Sequence, residues 1–71
     1  MHYIIQWSNH PEAGLRIPTQ AATESWQTVY DGTVASPQEA RKAADDLSSF
    51  YRHVRVFKGK HVGKLWYGVL R

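Results

Sequence analysis

The chain has no cysteine among its 71 residues, which excludes disulfide staples, thiolate metal sites and a cysteine nucleophile. It has no apolar run near the ~20 residues a helix needs to cross a bilayer. The opening residues carry neither the basic nor the apolar region of a secretory signal, so a cytoplasmic protein without membrane attachment is expected. Acidic residues are missing from positions 52–71 altogether. All six lie earlier, at Glu12, Glu24, Asp31, Glu39, Asp45 and Asp46.

That absence makes the charge lopsided. Set against Arg16, Arg41 and Lys42, the acids leave the first part at −3, whereas Arg52, Arg55, Lys58, Lys60, Lys64 and Arg71 bring the end to +6, for a net +3. Such separation favours attraction to a negatively charged partner over bond chemistry. The length suits a single domain, residues 1–71, with a core small enough that dimerisation is one route to added stability.

Hydrophobic patterning predicts four strands and one helix. Positions 3–8 alternate Tyr3, Ile5 and Trp7 with Ile4 and Gln6 and stop at Asn9-His10-Pro11, the signature of a strand running into a turn. Positions 9–24 have no sustained period and are broken by Pro11, Gly14 and Pro18, so they read as a loop, or as an edge strand through Leu15 and Ile17. Positions 25–31 predict a second strand with Trp26, Thr28 and Tyr30 on one face, turned by Asp31-Gly32.

Ser36, Pro37 and Glu39 have the cap, first-turn and capping-box chemistry of a helix starting at Pro37. Ala40, Ala43, Ala44, Leu47, Phe50 and Tyr51 then recur at spacings of three and four, an apolar stripe whose alanines allow close approach to a sheet. Positions 53–58 and 64–70 alternate again around a glycine-containing hairpin loop. Simple parity puts Arg55, Phe57, Lys64 and Trp66 on one face. The order β-β-α-β-β implies an α+β fold, an antiparallel sheet of about four strands with the helix on one side. The other side has no evident cover, and the three Trp, four Tyr and two Phe exceed what one short helix can bury.

Catalytic and metal chemistry is not signalled. His2, His10, His53 and His61 match no ligand spacing, and Asp45 and Asp46 are neighbours that diverge by about 100° on a helix. The glycines at 59 and 63 lack phosphate-loop spacing and a following helix. We expect no enzyme, no metal and no cofactor. The expected contact residues are Arg55, Lys58, Lys60, Lys64 and Trp66, the cations steering and pairing and the indole anchoring.

From Trp26 to Val56, a strand with Tyr30-Asp31-Gly32-Thr33 leads into the capped helix at Ser36-Pro37 and a returning strand ending Arg55-Val56. In this layout, in size and in lacking cysteine, the chain resembles the small accessory proteins that bacteriophages and mobile elements direct against host machinery, anti-CRISPR proteins and phage inhibitors of RNA polymerase among them. The resemblance implies blockade of a host protein or nucleoprotein complex. A fainter likeness is to the sheet-plus-helix DNA-binding modules of phage integrases, from which the two strands after the helix depart. Two other readings stand beside inhibition: direct binding of DNA or RNA by the same face, and a self-pairing oligomerisation module, with a homodimer as its outcome.

Overall fold

The computed structural model describes residues 1–69, so the expected strand position of Leu70 and the charge of Arg71 lie outside the described residues. The elements are β1 (His2–Ser8), α1 (Gln20–Glu24), β2 (Gln27–Thr33), α2 (Pro37–Leu47), β3 (His53–Lys58) and β4 (Leu65–Val69). All four strands form one antiparallel sheet in the order β2-β1-β3-β4, the α+β architecture expected from the pattern. Because β2 and β3 are each antiparallel to β1, they run parallel to one another with β1 between them. Such a connection needs a crossover, and α2 supplies it.

Helix α2 begins where its cap chemistry dictates. Ser36 is extended, its Oγ accepts the Glu39 N–H at 3.3 Å, and Pro37 opens the first turn. The buried faces of Ala40 and Ala44 meet Tyr3, Ile5, Val54 and Val56, with Trp7, Leu47, Tyr51, Trp66 and Tyr67 at the margins. The stripe is shorter than its periodicity suggests: the helix ends at Leu47, Phe50 is 77% exposed, and Tyr51 instead stacks on Trp7 with centroids 4.1 Å apart. Ser48 closes the helix, its N–H donating to Ala44 O and its Oγ to Asp45 O.

The opposite side of the sheet is covered in part, contrary to expectation. Residues 9–25 fold back over it and are neither an extended loop nor an edge strand. The Ser8 hydroxyl accepts the His10 N–H and pairs with Ser25 Oγ at 2.6 Å, closing both ends of the excursion on one side chain. Thr19 caps α1 through the Ala22 N–H, and Ala13 and Ala22 are buried. Burial on both sides explains why Tyr3, Ile4, Ile5, Gln6 and Ser8 of the central β1 are all removed from solvent.

Two register shifts alter the faces read by simple alternation. One falls opposite Ile5 and Gln6, so Thr28 pairs with Gln6 and Tyr30 with Ile5, on opposite faces. β2 also runs on to Thr33, through Asp31-Gly32, which form no turn. The other falls between Val56 and Phe57, which pair with Tyr67 and Leu65; a bulge of this kind spends one extra residue and reverses parity beyond it. After β3, Gly59 takes φ +114°, a conformation reserved for glycine, and its N–H donates to His2 O. No helix among the described residues is long and apolar enough to cross a membrane.

Candidate binding cleft

Across the sheet on the side away from α2, the register sets Thr28, Gln6, Arg55 and Gly68 in one row. The Gln6 amide is held at both ends, Nε2 donating to Thr28 Oγ1 at 3.1 Å and Oε1 accepting from Arg55 Nε at 2.8 Å. Gly68 has no side chain to crowd Arg55 from the other flank. The guanidinium lies 4.0 Å from the Trp26 ring centroid and 4.9 Å from that of Phe57. Phe57 belongs to this face by strand alternation, two residues after Arg55. Trp26 arrives from the end of the folded-back segment and also leans on the buried His53 ring.

The electrostatics of this row are one-sided. Arg55 is half-buried, and desolvation pushes its pKa below the ordinary arginine value, because removal from water penalises the charged form. No carboxylate offsets the penalty: among the described residues the one ion pair joins His2 to Asp31, with no lysine or arginine in it. The ring contacts supply part of the compensation, about 0.5–2 kcal/mol each in such geometries.

Beyond the row lies a cleft of about 320 Å³ with Arg55, Trp26 and Phe57 at its base. Leu15 and Pro18 of the folded-back segment line one wall, and Val62 and Leu65 of the β3–β4 hairpin the other. Leu15, Val62 and Leu65 are each about half exposed, at 54%, 54% and 46%, so both walls present aliphatic surface to whatever enters. A larger cleft of about 510 Å³ lies on the helix side, between β2 and α2, lined by Val29, Tyr30, Val34 and Ala43. Its one charged lining residue is Glu39, and the Tyr30 hydroxyl is already donated to Thr33 O, so it has no cation to meet an acidic partner. We therefore take the Arg55 cleft as the candidate site.

The five residues expected to make contact do not form one patch. Lys58, Lys60 and Lys64 are exposed around the hairpin. Lys64 precedes β4 and is not opposite Arg55, whose partner on that side is Gly68. The face read for Trp66 is corrected: the bulge turns it to the helix side, where its half-buried ring packs 5.1 Å from Tyr3 and beside the core. Its place next to Arg55 is taken by Trp26, which alternation had set with Thr28 but which no motif linked to Arg55. Gln6 and Thr28 carried no chemical signal in the sequence beyond being polar positions in strands.

Among the described residues no three histidine or acidic side chains converge as metal ligands. Arg41 and Asp45 lie one helical turn apart yet are not ion-paired. Arg41 sits 4.8 Å from the Tyr67 ring and Asp45 accepts the Tyr67 hydroxyl. The aspartate raises the Tyr67 pKa by hydrogen bonding first, with desolvation and its negative charge acting in the same direction.

No protein-family model matches this chain, and neither a curated protein nor a solved structure shows significant similarity to it.

Proposed function

We propose that the chain is a non-enzymatic, cytoplasmic binding protein. It occupies the surface of a host protein or nucleoprotein complex through the β3–β4 hairpin and the Arg55 cleft, and inhibits that complex by blockade. The observation that carries this reading is the half-buried Arg55, stacked on Trp26 and Phe57 with no carboxylate from the described residues at hand. Holding a desolvated cation without a counter-charge costs stability. A docking surface gives that cost a use, because a partner's negative group completes the pair. Exposed Lys58, Lys60 and Lys64 beside the cleft add long-range attraction toward the same kind of surface.

The order of elements resembles that of small phage and mobile-element inhibitors, and that resemblance is what suggests blockade as the mode of action. Direct nucleic-acid binding is the second reading, favoured by three exposed lysines around one hairpin that have no ion pair among the described residues. The test is capture of a partner complex from host lysate by the immobilised chain, followed by mass spectrometry and reconstitution with the purified partner. Charge reversal of Lys58, Lys60 and Lys64 to Glu is expected to weaken the reconstituted complex at least tenfold. Unchanged binding refutes the reading. Tight binding of duplex or single-stranded DNA by the chain alone, with a steep loss in salt, transfers it to nucleic acid.

A further inference from the structure

We propose that the Arg55 cleft is a receptor for an acidic side chain of a protein partner, a Glu or Asp flanked by aliphatic residues. The carboxylate would pair with the terminal nitrogens of Arg55, and the aliphatic neighbours would lie against Leu15, Val62 and Leu65. This rests on the binding-protein reading and adds the chemistry of what is bound.

The guanidinium is already oriented for such a ligand. Its Nε is committed to Gln6 Oε1, and Gln6 is itself fixed by Thr28. Trp26 and Phe57 flank the group, their ring centroids 4.0 and 4.9 Å from its central carbon. The two terminal nitrogens make no hydrogen bond to the described residues, and an Arg held in this way presents a paired donor edge matched to a carboxylate. Partial desolvation raises the strength of the pairing over that of an exposed lysine.

The walls discriminate between ligand classes. A free anion would leave Leu15, Val62 and Leu65 in water, whereas an acidic residue with aliphatic neighbours covers them. A nucleic-acid strand fits poorly, because base stacking needs an open ring face. Here Phe57 is 4% exposed, and the Trp26 face toward the cleft cation is occupied at 4.0 Å. A volume of about 320 Å³ admits one to two side chains and no folded motif.

The experiment is a titration of the full, ¹⁵N-labelled chain, followed at the Trp26 indole N–H and the Arg55 Nε–H. The probes are the capped peptide acetyl-Gly-Leu-Glu-Leu-Gly-amide, its Gln counterpart, a capped Gly-Gly-Glu-Gly-Gly peptide and a short oligothymidylate. The Leu-Glu-Leu peptide is expected to move both signals saturably, with at least tenfold higher affinity than the other three probes. Arg55→Lys keeps the charge but loses the planar fork, and Arg55→Met loses both. Each is expected to weaken the peptide at least tenfold, with an unchanged backbone spectrum elsewhere showing that the fold persists.

Equal responses to Glu and Gln peptides, undiminished binding by Arg55→Met, or oligothymidylate as the stronger ligand at Trp26 would each overturn the assignment. A partner complex that depends on the hairpin lysines and is indifferent to Arg55→Met removes the cleft and leaves the functional reading intact. Saturable peptide binding with no complex captured does the reverse.

Discussion

Arg55 holds a position that packing alone would give to an apolar side chain. Its pKa is lowered by burial, yet the guanidinium stays charged throughout the ordinary pH range, so the desolvation penalty is present at every pH at which the protein would be used. Replacing a partly buried cation that has no ion pair among the described residues by an apolar group of similar length removes that penalty, the two ring contacts and the hydrogen bond to the buried Gln6 Oε1, and these opposing terms are of comparable size. Arg55→Met is therefore expected to lower the unfolding free energy by no more than about 2 kcal/mol in urea denaturation. A loss of about 3 kcal/mol or more would mean that Arg55 is retained for the fold and not for a ligand.

At the scale of elements, α2 is tied to β4 by more than its alanine stripe. Asp45 accepts the Tyr67 hydroxyl while Arg41 lies over the Tyr67 ring, so the polar flank of the helix reaches the outer strand. The sign of the linked pH effect follows from the raised Tyr67 pKa. A pKa higher in the folded than in the unfolded state means that folding favours the protonated phenol. The contribution is whole below the unfolded tyrosine value, about 10, and is lost as pH rises through the folded value. Stability should fall above about pH 10 more steeply in the parent than in Tyr67→Phe, read as the difference between their urea midpoints from pH 8 to pH 11. Parallel curves would show that the hydrogen bond to Asp45 contributes nothing to folding. The outer strands β2 and β4 each carry a register shift, and such bulges oppose strand addition at an open edge. The two bulges thus weigh against edge-to-edge dimerisation.

For the whole molecule, charge is shared unequally along the chain, −3 in the first part against +6 at the end. The described lysines and arginines form no ion pairs with the acids. Attraction to an acidic surface is then long-ranged and screened by salt over a Debye length of about 10 Å at 0.1 M. Association with the captured partner is expected to slow several-fold between about 50 and 200 mM NaCl while dissociation changes little, as measured by surface plasmon resonance. Reversing Lys58, Lys60 and Lys64 to Glu should flatten that dependence. A parent rate indifferent to salt would assign the hairpin lysines to solubility alone.

Local chemistry determined much of this protein from the sequence itself. The Ser36-Pro37-Glu39 cap, the alanine stripe and the alternation in β1 and β3 each act over a few residues, so the helix onset, the strand count and the α+β class were legible before any contact was known. What lay beyond that reach was decided by tertiary structure. Two bulges, whose cause is cross-strand register, sent Trp66 to the core side and Tyr30 away from Thr28. Residues 9–25, without period of their own, took their path from Ser8, Ser25 and the apolar face they cover. Arg55 was visible as a cation on a strand. Its meeting with Trp26 and Gln6, 29 and 49 positions away in the chain, required the sheet, because only pairing of distant strands brings together side chains whose sequence separation carries no pattern.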